Sequence, residues 1–156
     1  MRKLLTLSFL MIFIASSICV AGAGVEPPAN SNYEYWDGIY TVKKFTINAS
    51  IHIISIDAKG NVKAIFYFAP HPSSRQIVKG SEYKKGFFDR PKGTLSLVPD
   101  EWIEHPRGYK QAKFIGVVNY DADPPTYTGN VVRVDDKKIL GTFTFYKQND
   151  ETLTVK

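Results

Sequence analysis

The chain has 156 residues, of which 44% are hydrophobic and 22% charged, and a formal net charge of +5. This length is enough for one domain with a hydrophobic core and excludes two domains of ordinary size. The basic residues lie in separate pairs, such as Lys43 with Lys44, so the charge pattern argues against nucleic acid as a partner.

The N-terminus has the pattern of a secretory signal peptide. Basic residues at positions 2–3 precede an apolar run over residues 4–20, and small residues follow up to Ala23. Signal peptidase cleaves after a small-residue pattern of this kind. We therefore predict that residues 1–23 are removed and that the mature chain, beginning at Gly24, is secreted or periplasmic.

Two alternatives to a cleaved signal peptide concern the same segment. The first is an uncleaved membrane anchor, but the apolar run is shorter than the roughly 20 residues that a spanning helix needs. The second is lipid attachment at Cys19, and the bulky Ile18 before it argues against this modification. We expect no transmembrane span in the mature chain.

The predicted mature chain has no disulfide to stabilise it, because its only cysteine, Cys19, lies in the removed segment. Removal of 23 of the 156 residues leaves 133, with 18 basic and 15 acidic side chains and a net charge of +3. An exported domain without disulfides depends on its apolar core and on protection of its sheet edges.

The first part of the mature chain is a leader followed by aromatic residues. Residues 24–32 include two prolines and show no periodicity, which predicts a flexible leader. The aromatic residues that follow are Tyr33, Tyr35 and Trp36. Asp37 and Gly38 then signal a turn, and a first strand is predicted over residues 39–45. Aromatic residues at this place either plug the end of a barrel or form a stacking platform for a ligand.

Residues 46–68 give the clearest β-hairpin pattern. Apolar residues alternate with polar ones from Ile47 to Ile53, and the apolar face switches over residues 54–56, which predicts a bulge. Residues 57–60 form a turn that ends in glycine. Residues 61–68 return as the partner strand.

The rest of the chain continues as short strands joined by turns, without a helical period. These strands are predicted over residues 75–78, 81–89, 94–98, 111–119, 126–134 and 139–147, and a polar tail over 148–156. Sequential hairpins describe a meander, and closing it removes the exposed edges. We predict an all-β fold, an up-and-down antiparallel β-barrel of about eight strands over residues 33–147, with the strand plan of lipocalins and avidins. A two-sheet β-sandwich is the alternative.

The segment after the predicted strand 94–98 breaks this regular pattern. Pro99 cannot donate a ladder hydrogen bond, so the strand is predicted to stop there. Trp102, Ile103 and Tyr109 are large apolar side chains that need burial. We therefore predict that residues 99–109 form a loop folded over one end of the barrel.

The same segment has the densest set of titratable groups in the chain, which makes it the first candidate for a functional site. The candidate ligand-binding residues are Trp102, Glu104, His105, Arg107, Tyr109, Tyr33, Tyr35 and Trp36. Exposed aromatic faces at a barrel mouth can stack on a sugar or an apolar ligand. The competing interpretation is burial as end plugs, which we favour for Trp36 and Trp102.

A catalytic alternative uses His105 with Glu104 or with His71. An imidazole beside carboxylates can act as a general base or bind a metal ion. Adjacent loop positions do not converge by themselves, and the sequence has no nucleophile elbow, phosphate-binding glycine loop or zinc-ligand spacing. We therefore predict no catalytic residue, metal or cofactor. Asn48 begins a glycosylation sequon, which has meaning only in a eukaryotic secretory pathway.

Several short strings resemble those of a group of small exported bacterial β-domains of no established activity. The strings are Gly38-Ile39-Tyr40-Thr41, Gly60-Asn61-Val62-Lys63-Ala64 with Phe66 and Phe68, and Trp102-Ile103 with Pro106, Gly108 and Tyr109. The resemblance implies export and a β-fold. Members of the group often have cysteines at the places that Val42 and the region of Leu140 occupy here, so no disulfide is expected.

These observations lead to one functional expectation. A closed scaffold with one rich loop and no catalytic signature predicts a non-catalytic exported binding domain. Its partner would be a small ligand, a glycan or a protein, such as a hydrolase that it inhibits. A small hydrolase or metal-dependent enzyme is the alternative.

Overall fold

A computed structural model describes residues 33–71 and 79–149 of the chain. Short turns join most of its strands, and one 3₁₀ turn, Arg90–Lys92, lies among them. The strands are β1 (Glu34–Val42), β2 (Phe45–Ile56), β3 (Asn61–Pro70), β4 (Gly80–Asp89), β5 (Thr94–Glu104), β6 (Ala112–Asn119), β7 (Thr126–Arg133) and β8 (Ile139–Gln148).

Pairing between the first and the last strand closes the sheet. Each strand lies antiparallel to the next, and β1 pairs with both β2 and β8, so that Gly38 lies opposite Ala49 on one side and Phe145 on the other. This arrangement is an eight-stranded up-and-down β-barrel, which confirms the predicted fold and excludes the sandwich.

Strand alternation fills the interior with apolar side chains, because every second residue of each strand points inward. The alternating apolar residues of β2 and β3 are buried as predicted, and a bulge lies between Ile53 and Ser55. The largest side chains that are almost fully buried include Trp36, Tyr127, Phe114, Phe145, Ile51 and Leu97. The barrel interior around these side chains is therefore a packed core.

The predicted turn at residues 57–60 is built on one carboxylate. Asp57 Oδ1 accepts hydrogen bonds from the backbone N–H groups of Lys59 (2.9 Å) and Asn61 (2.8 Å). Asp57 Oδ2 accepts a third from Asn61 Nδ2 at 2.7 Å. Gly60 has φ +91°, and its carbonyl accepts a hydrogen bond from the backbone N–H of Phe88 at 2.8 Å. The turn thus fixes both the hairpin and its register on β4.

The prediction of a turn at Asp37 and Gly38 is wrong. Both residues lie within β1, which begins at Glu34 and also includes Tyr35 and Trp36. A Cβ at Gly38 would lie 2.0 Å from the carbonyl oxygen of Thr144 on β8. The glycine allows close approach of two strands here, and the sequence pattern alone resembles a turn.

The prediction that the strand stops at Pro99 is also wrong, since β5 continues to Glu104. The ladder between β5 and β6 covers only Thr94 to Leu97. Beyond this point β5 pairs with β4 alone, through an irregular register in which Pro99 lies opposite Lys84. A proline is tolerated in a strand that needs hydrogen bonds on one side only.

A pair of glycines brings β6 and β7 close together. Gly116 and Gly129 lie opposite each other in the ladder. A Cβ at Gly129 would lie 2.5 Å from the Cα of Gly116, and a Cβ at Gly116 would lie 2.9 Å from the ring of Phe143. The aromatic ring therefore packs directly over backbone.

Several predictions concern parts of the chain outside the described residues. They are the signal peptide at 1–23, the leader at 24–32, the short strand at 75–78 and the tail beyond Asn149. Across residues 33–71 and 79–149, no helix is long and apolar enough to cross a membrane.

The Asp57 turn predicts a pH-dependent contribution to stability. Hydrogen bonds from the Asn61 side chain and backbone hold the pKa of Asp57 below its ordinary value. Its contribution is therefore present above the ordinary pKa and is lost as the pH falls through the lowered one. Asp57→Ala should reduce the urea midpoint at pH 7, and the difference from wild type should shrink below about pH 4.

The control for this prediction is Lys59→Ala, which keeps the carboxylate and its backbone donors. The urea midpoint of this variant should show the same acid-dependent loss as that of wild type, so the difference between the two should not change with pH. A constant difference between Asp57→Ala and wild type from pH 7 to pH 3 would contradict the assignment.

Candidate functional site

Three described connections lie at the same end of the barrel, because alternate connections of an up-and-down barrel share an end. These are residues 43–44, 105–111 and 134–138, and the end of β3 at Pro70 and the start of β4 at Gly80 lie at the same end. We call this end the mouth. A cavity of about 420 Å³ opens there. Its lining includes Tyr40, Val42, Phe45, Ile47, Phe66, Phe68, Glu82, Trp102, Tyr109, Ala112, Phe114, Val131 and Leu140, with Lys43, Lys110 and Arg133 among the charged residues.

Tyr109 holds the β5–β6 connection against the mouth. Its ring stacks on Phe68, with centroids 4.6 Å apart and planes inclined by 18°. Its hydroxyl lies 2.6 Å from the hydroxyl of Tyr40, which comes from the inner face of β1. Burial raises the pKa of both tyrosines, so both stay protonated and one O–H donates to the other. Two strands and a loop are thereby joined at the cavity wall.

Trp102 and His105 extend this aromatic wall toward the rim. The Trp102 ring lies edge-on to Phe68, with centroids 6.4 Å apart. The His105 imidazole stacks on Trp102 at 4.5 Å and 16°, and its Nε2 lies 3.2 Å from the carbonyl oxygen of Tyr109. Trp102 is half-buried and packs against the core. The imidazole is held in place by one ring and one backbone oxygen.

A buried ion pair borders the cavity on β4. Glu82 and Lys84 both point inward, and their side chains are 3% and 0% exposed. Lys84 Nζ lies 2.6 Å from Glu82 Oε1 and donates to the carbonyl oxygen of Ala112, also at 2.6 Å. The ammonium also lies 5.3 Å from the ring centre of Phe66 and 5.1 Å from that of Phe114. Desolvation lowers the pKa of Lys84, and the negative charge of Glu82 acts against that shift.

The second oxygen of Glu82 is the exception in this arrangement. Among the described side chains, Glu82 Oε2 is a buried polar atom without a hydrogen-bond partner. Most buried polar atoms in folded proteins have at least one partner, so an unpaired carboxylate oxygen calls for an explanation. Glu82 also lines the cavity, so its unpaired oxygen belongs to a side chain of the cavity wall.

Sequence reasoning missed Glu82 and Lys84. In β4, Phe88 shares its phase with Glu82 and Lys84, whereas Tyr83 and Phe87 lie on the other face and are exposed. Because both alternating sets of residues in β4 include apolar side chains, the sequence does not indicate which set points inward. The one available signal was the hairpin turn, whose Gly60 carbonyl pairs with Phe88 and so sets the phase of the whole strand.

The predicted site residues of the 99–109 segment lie together at the mouth. Trp102 and Tyr109 line the cavity. Glu104 is exposed, with its carboxylate 3.8 Å from Lys79 Nζ, and Arg107 is exposed on the connection. The predicted burial of Ile103 is wrong, because strand alternation in β5 leaves it 48% exposed.

The other three predicted site residues lie at the opposite end of the barrel or on its outer face. Trp36 is 1% exposed, which confirms the preferred interpretation of a buried end plug. Its Nε1 donates to Glu34 Oε2 at 3.1 Å. Tyr33 is exposed before β1, and Tyr35 lies on the outer face against His52, with ring centroids 4.6 Å apart. The eight predicted residues therefore do not form one site.

The residues of the catalytic alternative do not form a metal-binding cluster. Within the described ranges, no group of three or more His, Cys, Asp and Glu side chains is placed to hold a metal ion. His71 follows β3 at the mouth, and His105 is stacked on Trp102. Asn48 lies on the outer face of β2, with its Nδ2 3.4 Å from the carbonyl oxygen of Pro70.

The scan against models of protein families found no match, and the search of curated proteins also found none.

The Glu82 and Lys84 pair generates a stability prediction. Removal of one partner of a buried ion pair leaves an uncompensated charge, so Lys84→Met should destabilise the barrel by roughly 3–5 kcal/mol. The double variant Glu82→Gln with Lys84→Met removes both charges and should recover most of that loss. Urea unfolding at pH 7 measures both changes.

The neighbouring lysine supplies a matched control. Lys85 lies on the outer face with a 62% exposed side chain, 2.8 Å from Asp100 Oδ1. Its replacement by Met should change stability by less than about 1 kcal/mol. Equal effects of Lys84→Met and Lys85→Met would show that the buried pair has no special role.

Proposed function

We propose that this protein is an exported, non-catalytic binding domain that takes one small, mostly apolar ligand into the mouth of its barrel. The observation that carries this proposal is the 420 Å³ cavity with its aromatic wall. Cavities of roughly 300–1,000 Å³ with an apolar lining and a few polar groups are typical ligand sites. The mouth has both properties.

The lining supports binding because most of it is already in place. Tyr40, Phe66 and Phe68 are buried side chains of β1 and β3. Tyr109 is fixed by its stacking on Phe68 and by the hydroxyl of Tyr40. A wall that needs little ordering leaves more of the contact energy for affinity.

A small ligand is favoured over a glycan or a protein partner by the direction of the aromatic faces. The ring of Phe68 contacts those of both Trp102 and Tyr109 in the cavity wall. A glycan that stacks on an open surface needs a free ring face. A protein partner would meet mainly the charged rim residues Glu104 and Arg107, and exposed charges of this kind contribute little to affinity.

Export is the second part of the proposal, and the N-terminal sequence supports it. Basic residues, an apolar run and a small-residue pattern ending at Ala23 precede the barrel. The full chain, expressed with an active secretion pathway, should appear outside the cytoplasm with Gly24 as its first residue. N-terminal sequencing measures this. An intact N-terminus on exported protein would argue for an anchor.

Ligand binding at the mouth is tested by filling the cavity. N-phenyl-1-naphthylamine is an apolar fluorescent probe, and it should bind the wild-type barrel at one site with increased emission. Ala112 lies in the cavity wall, so Ala112→Trp should weaken this binding by roughly tenfold or more. Fluorescence titration measures both affinities.

The control is the same substitution at the other end of the barrel. Ala58 is exposed in the β2–β3 turn, and Ala58→Trp should bind the probe as wild type does. The proposal fails if the wild-type protein does not bind the probe, or if Ala112→Trp binds it as tightly as Ala58→Trp.

A further inference from the structure

We infer that the ligand of the mouth carries a neutral hydrogen-bond donor, a hydroxyl or an amide N–H, that donates to Glu82 Oε2. This inference rests on the proposed function and names the chemistry of the group that the cavity recognises. It is carried by a glutamate of the cavity wall that has one buried oxygen without a partner among the described residues.

The geometry of the Glu82 carboxylate separates its two oxygens. Oε1 faces Lys84 Nζ at 2.6 Å. Oε2 is buried and, within the described part of the chain, accepts no hydrogen bond. An ionised carboxylate in an apolar environment favours a donor on each oxygen, because desolvation of an unpaired oxygen is costly. A ligand donor at this position would complete the set.

The opposite end of the same barrel shows what a completed set looks like. Glu34 is also buried, and its Oε2 accepts from Trp36 Nε1 at 3.1 Å. Its Oε1 accepts from Lys147 Nζ at 2.8 Å, and the Tyr120 hydroxyl lies 3.3 Å from Oε2. The fold therefore supplies donors to both oxygens of one buried glutamate. The glutamate that borders the cavity has a donor on only one.

The charges around the cavity favour a neutral donor over a cation. Lys84 already balances the charge of Glu82, so an ammonium group at Oε2 would lie close to a second buried cation. The described rim residues Lys43, Lys110 and Arg133 are also basic. A cationic ligand would pass these residues on its way to a carboxylate that is already paired.

A hydroxyl suits the site because it can both donate and accept. The Tyr40 and Tyr109 hydroxyls share one hydrogen bond, which leaves one of their two O–H groups without a proton acceptor in that pair. Both tyrosines line the same cavity as Glu82. The negative charge of Glu82 contributes to the raised pKa of Tyr40, which is consistent with their proximity.

A series of three matched compounds tests the inference on the wild-type protein. Displacement of N-phenyl-1-naphthylamine is measured at pH 7 with 2-naphthylmethanol, its methyl ether and 2-naphthylmethylamine, which is a cation at this pH. The alcohol should bind roughly ten- to a hundredfold more tightly than the ether, because a hydrogen bond to a charged acceptor is lost in the ether. The alcohol should also bind more tightly than the amine.

The variant Glu82→Gln locates the acceptor. The amide oxygen can keep the contact with Lys84, and the amide nitrogen then replaces Oε2 and offers a donor instead of an acceptor. The preference for the alcohol over the ether should fall to less than about threefold. Glu104→Gln at the exposed rim is the matched control and should keep the wild-type preference.

The outcomes separate this inference from the proposed function. If the alcohol and the ether bind wild type equally, or if the amine binds most tightly, the inference is overturned while the cavity remains a ligand site. If Glu82→Gln keeps the full alcohol preference, Glu82 is not the acceptor. If none of the compounds and no probe binds, the proposed function itself fails. Should Glu82→Gln not fold, the wild-type series still decides on the donor.

Discussion

The pairing of β1 with β8 is the constraint on which the rest of the molecule depends. Once the last strand closes on the first, the inward residues of every strand share one enclosed interior. An apolar residue gains from this enclosure, and a charged residue must find a partner there. Glu82 and Lys84 follow from that constraint. The phase of β4 places both inside, so they pair with each other and with the carbonyl of Ala112.

Closure also gives the barrel two chemically different ends. At one end, Trp36 and Tyr120 cover a glutamate whose oxygens both have donors. At the mouth, the ladder between β5 and β6 ends at Leu97, and the segment beyond it carries Trp102 to the cavity wall. One end is a finished hydrogen-bonded core, and the other has an open volume with an acceptor beside it. The two ends of the barrel therefore differ in how completely their buried carboxylates are paired.

Strict periodicity was the part of the sequence that predicted structure well. The alternation from Ile47 to Ile53, with its glycine turn, fixed a hairpin without tertiary information. The predictions at Gly38 and Pro99 were wrong because a glycine commonly indicates a turn and a proline commonly indicates a strand end. In this barrel both residues lie within strands, and the neighbouring strands determine their role. Only part of the candidate site could be predicted from the sequence. Trp102 and Tyr109 stood out as aromatic residues, but Glu82 lay in a strand with apolar residues in both phases, so only the three-dimensional register could place it inside.

The facing glycines of β6 and β7 limit how this scaffold can be remodelled. Neither Gly116 nor Gly129 has space for a methyl group, since a Cβ would lie 2.1 Å from the carbonyl oxygen of Thr128 at Gly116 and 2.2 Å from that of Ile115 at Gly129. A larger residue at either position would push β6 and β7 apart and disturb their pairing with the neighbouring strands. Substitutions that enlarge the interior should therefore be made near the rim and should leave these two glycines unchanged.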